Sequence, residues 1–124
     1  MNRQVADSAC TATAYLGGVK GNYGTIGVNA HVPRYDCNAG QNPAYWVDSI
    51  GKWAQDAGKD AGFVTTSRVT HASPAGVYAH TAQRGWENDA EITGAGYLSP
   101  SAGRIFQYLH ICRGSGNISK FHYL

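Results

Sequence analysis

The first readable pattern in the chain is a run of small residues that predicts a helix over residues 9–16. Asp7 or Ser8 is placed to cap its start, and Gly17-Gly18 is placed to end it. Because most of its side chains are small, this helix is expected to pack closely against its neighbours.

A second pattern predicts a strand, a helix and another strand in succession. The apolar runs 25–28 and 62–66 have the length of buried strands. Between them, Pro43 is placed in the first turn of a helix that ends at Gly58. One face of that helix is apolar: Trp46, Val47, Ile50, Trp53, Ala54 and Ala57.

These three elements predict a βαβ unit with two parallel strands, so the predicted fold class is α/β. Ligands of such folds bind beyond the carboxyl ends of the strands. Residues 67–86 follow the second predicted strand and are therefore the candidate site region. A weak helix is predicted at 102–112, and residues 113–124 are expected to fray.

The bulk composition excludes several classes of protein. A net charge of +2 on 124 residues, with the cations scattered, indicates neither a nucleic-acid partner nor a polybasic membrane surface. We find no apolar leader, spanning segment or lipid-anchor tail, so the chain is expected to be soluble and unexported. The three cysteines (Cys10, Cys37 and Cys112) show no metal-binding spacing.

Two residues in these segments have the chemistry for phosphoryl transfer. Ser8 stands at a predicted helix start, where backbone N–H groups favour an anion, and its hydroxyl can attack phosphorus. The guanidinium of Arg84 can bind two phosphate oxygens at once. Taken singly, a serine in the position of Ser8 is more often only a helix cap, and an arginine after a strand is usually a surface residue.

Other side chains are weaker candidates. His71 and Ser73 flank a loop and can lie in the shell of a Mg²⁺ or Zn²⁺ ion, although a lone pair of this kind is usually structural; His80 has the same standing. The glycine-rich segment 17–24 matches neither a Walker loop nor GxGxxG, and Ser8 lacks the GxSxG elbow of α/β-hydrolases.

Considered together, these segments resemble the animal form of the alkaline phosphatase family. Residues 5–16 (VADSACTATAYL) resemble its nucleophile signature, and residues 18–22 and 25–28 continue it. Residues 64–81 (VTTSRVTHASPAGVYAHT), followed by Arg84-Gly85-Trp86, resemble its second block. The order and spacing of the blocks match as well. The resemblance covers about residues 3–92, a partial domain, and leaves 93–124 as a non-matching tail.

The resemblance implies a role for each matched residue. Ser8 would be the nucleophile that becomes phosphoserine and would contact one of two Zn²⁺ ions. Asp7 would orient Arg84, which would hold the phosphate oxygens. Ser73 would ligate one Mg²⁺ ion, with His71 close to it.

The resemblance also implies what a longer protein supplies. The family's remaining aspartate, glutamate and histidine ligands lie upstream and far downstream of these blocks. The chain is therefore expected to be a truncated piece of a three-layer α/β/α sandwich, inactive alone. The apolar faces around Val28, Ile50 and Val64 are expected to be partly uncovered. The alternative is a non-catalytic fragment, or a module that binds phosphate or a partner.

Family membership further implies phosphate monoester substrates, a homodimeric parent, and an extracellular protein anchored to the plasma membrane. The counterpart of Cys37 forms a disulfide with a cysteine downstream of the arginine block. Cys112 is the one downstream cysteine here, and its surroundings do not resemble the family.

Overall fold

The computed structural model describes residues 5–88 and 91–92. Their helices are α1 (Ser8–Gly17), α2 (Cys37–Gly40), α3 (Ile50–Asp56) and α4 (Ala72–Ala75), with one turn of 3₁₀ helix at Pro43–Tyr45. The helix predicted at 102–112 and the tail predicted at 93–124 lie outside the described residues. No helix in the described part of the chain is long and apolar enough to cross a membrane.

Helix α1 confirms the first predicted element. The Asp7 side chain caps it by accepting a hydrogen bond from the Cys10 backbone N–H at 3.2 Å. The helix ends at Gly18, whose φ is 72°. Its small residues pack closely on the segment around α4, as expected: a Cβ on Gly76 would lie 2.7 Å from the Ala12 Cβ.

The predicted parallel βαβ unit is wrong. The described residues contain two isolated bridges instead, and both are antiparallel: Ile26 with Thr81, and Val28 with Trp46. The segment expected to pair with 25–28 forms no strand, and Val64 is 87% exposed. A strand is stabilised by hydrogen bonds to its neighbour. Here the backbone around Ile26 and Val28 pairs with 81 and 46 instead.

The predicted central helix is shorter than the apolar pattern suggested. Helix α3 begins only at Ile50, where the Ser49 hydroxyl accepts a hydrogen bond from the Lys52 N–H at 3.2 Å. Pro43 starts the 3₁₀ turn, not α3. Trp46 belongs to a bridge, and its indole Nε1 donates to the Gly40 carbonyl at 2.9 Å. Tertiary contacts of the tryptophan therefore override the helical periodicity.

Two apolar clusters form the core of the described chain. One contains Val28, Val32, Ala82, Trp86 and Ile92. The other contains Ala9, Ile26, Ala72 and Ala75, and it joins α1 to α4. The expectation of uncovered apolar faces is confirmed at Ile50 and Val64, which are exposed, and is wrong at Val28, which is fully buried.

Candidate active site

The start of α1 presents Ser8 at a position suited to an anion. Ser8 is the first residue of the helix, and Asp7 before it is extended, with φ −91° and ψ 172°. The first N–H groups of a helix have no partner within the helix, and the helix dipole adds positive potential there. Since Asp7 is the cap, the Ser8 hydroxyl is not needed for capping.

Arg84 reaches this helix start from the other end of the described chain. Its Nη1 donates to the Ser8 Oγ at 2.7 Å and to the Asp7 Oδ2 at 3.3 Å. The side chain of Asp7 is 7% exposed and that of Arg84 is 30% exposed. The pair is thus shielded on the aspartate side and open to solvent on the arginine side.

Asp7 is held by backbone as well as by Arg84. Its Oδ1 accepts from the N–H groups of Cys10 and Gly24, each at 3.2 Å. Burial favours the protonated acid, but the hydrogen bonds from Cys10, Gly24 and Arg84 outweigh it and hold the pKa of Asp7 below its ordinary value of 3.8. Asp7 is therefore an anion at neutral pH and forms an ion pair with the guanidinium of Arg84.

His71 lies on the far side of the same guanidinium. Arg84 Nη2 donates to His71 Nε2 at 3.4 Å, a contact open only to an imidazole whose Nε2 carries no proton. The other ring nitrogen, Nδ1, is buried and has no hydrogen-bond partner among the described residues. Asp7, Ser8, His71 and Arg84 thus form one cluster, which we call the Ser8–Arg84 cluster.

The other two candidates lie outside this cluster. Ser73 is exposed on α4 and makes no hydrogen bond to Asp7, Ser8 or Arg84 in the part of the chain that the structure describes. His80 is mostly buried elsewhere: its ring stacks on Trp46 at a centroid distance of 4.8 Å. Its Nδ1 donates to the Gly27 carbonyl at 2.6 Å. The contacts of His80 are those of a structural residue.

The described residues do not by themselves fit a metal ion. Zinc sites in proteins are built from about three or four side-chain ligands. Residues 5–88 and 91–92 contain no group of three or more His, Cys, Asp or Glu side chains that could hold a metal. The donors that the cluster offers are one hydroxyl, one carboxylate and one imidazole, and all three already contact Arg84.

The cysteine near the cluster is not a competing nucleophile. Burial, together with the neighbouring Asp7, raises the pKa of the Cys10 thiol above its ordinary value of 9.0. The thiol therefore stays protonated at neutral pH. Neither Cys10 nor Cys37 is in a disulfide within the described residues, and Cys112 lies outside them.

Sequence reasoning missed the backbone that supports the cluster. The Arg84 N–H donates to the Gly24 carbonyl at 2.8 Å, and the Gly24 N–H is one of the donors to Asp7. The sequence indicated only a turn at residues 17–24, because a backbone hydrogen bond between distant residues does not appear in the pattern of side chains. Gln83, buried beside Arg84, gave no signal either.

Chemically, the cluster combines a hydroxyl nucleophile, a guanidinium and a helix start. Such a set can accept a phosphoryl group: the guanidinium and the free N–H groups would contact its oxygens, and the hydroxyl would face its phosphorus. The hydrogen bond from Arg84 Nη1 to Ser8 shows that the guanidinium can approach any group bound to that oxygen.

Comparison with known proteins agrees with this chemistry. The model of the alkaline phosphatase family matches residues 1–110. The chain therefore belongs to the alkaline phosphatase family. The division predicted at residue 92 stays a prediction, as do the roles of the individual site residues.

Two curated relatives illustrate the extent of the match. The chain is 56% identical over 97 residues to the membrane-bound alkaline phosphatase of Bombyx mori, which covers 78% of this chain and 18% of the relative. It is 48% identical over 112 residues to the tissue-nonspecific isozyme of Homo sapiens, which covers 90% of this chain and 21% of the isozyme. The chain thus spans about a fifth of the length of these relatives.

Solved structures give the same fold. The alkaline phosphatase of the Antarctic bacterium TAB5 matches with a TM-score of 0.57 and 36% identity, covering 69% of this chain and 22% of that one. Two variants of the TAB5 enzyme with Mg bound in the M3 site match with TM-scores of 0.55 and 0.56, each with 36% identity and coverage of 67% of this chain and 20% of that one. The described chain is therefore a piece of the alkaline phosphatase fold.

Proposed function

We propose that the protein to which this chain belongs hydrolyses phosphate monoesters through a phosphoserine formed at Ser8. The single observation that carries this proposal is the 2.7 Å hydrogen bond between Arg84 Nη1 and Ser8 Oγ at the start of α1. It joins a nucleophile to a phosphate-binding group in a family named for this reaction.

The proposed reaction has two steps at one oxygen. In the first, the Ser8 Oγ forms a bond to phosphorus, loses its proton to solvent, and the bond from phosphorus to the ester oxygen breaks; the leaving alcohol takes up a proton. In the second, water attacks the phosphoserine and gives up a proton, the bond from phosphorus to Oγ breaks, Oγ takes up a proton, and inorganic phosphate leaves. Ser8 is thereby regenerated.

Arg84 would act on the phosphoryl oxygens in both steps. Charge spreads over these oxygens during transfer, and a guanidinium binds two of them in a fixed geometry. Asp7 is the positioning group, because its carboxylate accepts a hydrogen bond from the same Nη1 that reaches Ser8. With phosphate bound, we expect the Ser8 contact to pass to a phosphate oxygen while the Asp7 contact remains.

The metal ions of the reaction are part of the proposal for the longer protein. We propose two Zn²⁺ ions and one Mg²⁺ ion, with Ser8 contacting a zinc ion, Ser73 ligating magnesium and His71 lying close to that ion. When bound, such ions would stabilise the attacking and leaving oxygens. The described residues do not complete either kind of site, so we propose that most ligands come from parts of the relatives that this chain does not match.

The setting of the longer protein is likewise proposed. We infer a three-layer α/β/α sandwich, a homodimer, and an extracellular location with a membrane anchor. Ile50, Trp53 and Val64 have exposed apolar side chains. Exposing apolar surface to water is unfavourable, which supports a larger structure that covers them. The fold match, which covers about a fifth of the TAB5 chain, supports it too.

A second function is favoured by the donor set of the described residues. Ser8, Arg84 and the start of α1 provide contacts for an anion, whereas the same residues provide no metal cluster. The chain alone would then bind inorganic phosphate without turning over an ester.

Hydrolysis of a chromogenic phosphate monoester at alkaline pH separates these possibilities. The 124-residue chain is assayed with Zn²⁺ and Mg²⁺ beside its Ser8→Ala variant. A chimera in which residues 5–88 replace the matching segment of the human isozyme is assayed in the same way. We expect no turnover by the chain and Ser8-dependent turnover by the chimera. A chimera that keeps its activity after Ser8→Ala would refute the proposed role of Ser8.

A further inference from the structure

Among the described residues, Gly24 is the one whose backbone bonds to both Asp7 and Arg84 of the Ser8–Arg84 cluster. Its N–H donates to the Asp7 Oδ1 at 3.2 Å, on the nucleophile side. Its carbonyl accepts from the Arg84 N–H at 2.8 Å, on the arginine side. Gly24 is itself buried. A movement of this residue would therefore be passed to both partners of the Ser8–Arg84 contact.

Two features of the structure require glycine at this position. The φ of Gly24 is 81°, in the left-handed region that side chains with a Cβ disfavour. A Cβ would also lie 2.5 Å from Arg34 Nε and 2.8 Å from Arg34 Cδ and Cζ. The guanidinium of Arg34 thus fills the space that any side chain at position 24 would need.

Arg34 is not free to move away from this space. Its guanidinium lies over the rings of Tyr35 and Tyr23, at 4.8 Å and 5.4 Å from their centroids. Its Nη2 donates to the Oε1 of Gln83 at 3.2 Å. Because Arg34 is fixed by two rings and one amide, a side chain at position 24 would displace the Gly24 backbone more readily than Arg34.

We propose that Gly24 is a positioning residue that sets Asp7 and Arg84 at the distance needed to bind phosphate beside Ser8, and that Arg34 makes glycine obligatory there. This inference rests on the proposed function for the identity of the ligand. The effect of Gly24 on the position of Arg84 can be measured without any phosphate or catalysis. Gly24 would touch neither substrate nor metal.

The test compares four variants of the full chain. Gly24→Ala introduces the Cβ, and Arg34→Ala removes the atoms that it would meet. The double variant combines both changes. Gly58→Ala is the matched control, because its φ is 73° but a Cβ there meets nothing within 4 Å. It measures the cost of a left-handed alanine without a collision.

Two measurements are made on each variant. Hydrogen exchange of the Arg84 backbone amide, followed by NMR, reports the bond to the Gly24 carbonyl. Titration with inorganic phosphate, followed by ³¹P NMR, reports the site. In Gly24→Ala we expect Arg84 exchange and the phosphate dissociation constant each to rise roughly tenfold, the size expected for loosening one or two hydrogen bonds. Arg34→Ala and Gly58→Ala should stay near the parent, and the double variant should recover most of both changes, short of the cost of a left-handed alanine that Gly58→Ala measures.

Three outcomes would overturn the inference. Gly24→Ala could match Gly58→Ala in both measurements, or the double variant could be no better than Gly24→Ala. If Gly24→Ala does not fold, the inference requires the double variant to fold; a double variant that stays unfolded while Arg34→Ala folds overturns it. If the parent chain does not bind phosphate, the second function, phosphate binding by the chain alone, fails, and the Arg84 exchange rates still decide the positioning role.

Discussion

Arg84 donates a hydrogen bond from Nη1 to the Ser8 Oγ, although 76 residues separate the two along the chain. The contact is long-range, so it depends on the fold and not on local sequence. The same Nη1 contacts Asp7, which caps α1. The residue that caps the helix therefore also contacts the arginine nitrogen that reaches the serine.

Replacing Arg84 with lysine should weaken phosphate binding. Lysine keeps the charge but has no planar pair of donors, so it cannot hold Asp7 and a phosphate oxygen together. We expect the dissociation constant for inorganic phosphate, measured by ³¹P NMR, to rise by about one order of magnitude. Arg68→Lys is the control, since Arg68 pairs with Glu87 on the surface. Equal effects of the two changes would mean that Arg84 binds only through its charge.

Removing the Asp7 side chain should destabilise the fold more than removing the Ser8 hydroxyl. Asp7→Ala deletes the helix cap and the ion pair with Arg84, so we expect a loss of about 1–2 kcal/mol in the free energy of unfolding. Ser8→Ala deletes no cap, and a change within about 0.5 kcal/mol is expected. Urea unfolding of both variants measures this. If Ser8→Ala loses more free energy of unfolding than Asp7→Ala, Ser8 and not Asp7 would be the helix cap.

The stability of the fold should fall below about pH 6.5 because of His80. Burial lowers the pKa of His80 from its ordinary 6.5, only partly opposed by the Gly27 carbonyl and Asp48. His80 therefore binds a proton more readily in the unfolded chain than in the folded one. The contribution of neutral His80 to the free energy of unfolding is fully present above about pH 6.5 and is lost as the pH falls.

Urea unfolding at about pH 7.5 and about pH 5.5 tests this dependence. His80→Asn keeps a donor for the Gly27 carbonyl but cannot titrate in this range, so its stability should change less between the two values. His31→Gln, at an exposed histidine, should behave like the parent. If the stability of His80→Asn depends on pH as strongly as that of the parent, a group other than His80 causes the effect.

The exposed face of α3 should drive self-association of the isolated chain. Ile50 and Trp53 lie one helical turn apart and are 60% and 51% exposed. Trp53→Lys should therefore shift sedimentation at high protein concentration toward the monomer. Tyr15→Lys changes an exposed aromatic on α1 instead and serves as control. If both variants associate like the parent, the α3 face is not the contact.

The sequence predicted well those features that depend on neighbouring residues. The helix at α1 was confirmed because its cap, its small side chains and its glycine stop are all local signals. The family was recognised because two long blocks keep their order. The predicted pairing of strands was wrong, since the partners of Ile26 and Val28 are Thr81 and Trp46. Thr81 lies in no apolar run, and the apolar pattern assigned Trp46 to a helix.

The structure brings Asp7, Ser8 and Arg84 together, and it adds His71 through a contact with Arg84 that the sequence did not indicate. Ser73 lies exposed outside their cluster, and the roles of these residues stay predictions. The bridging role of Gly24 depends on backbone groups that every residue has, so only the structure reveals it. Likewise, the apolar face of α3 predicts burial, but nothing in the described chain covers it.

The most direct test of the account is to locate the phosphate on the enzyme during turnover. The chimera that contains residues 5–88 is mixed with a phosphate monoester, quenched in acid, digested and mapped by mass spectrometry. The account predicts phosphate on Ser8, none in the Ser8→Ala chimera, and a lower yield in the Arg84→Lys chimera. Phosphate on another residue, or ester hydrolysis that continues after Ser8→Ala, would contradict it.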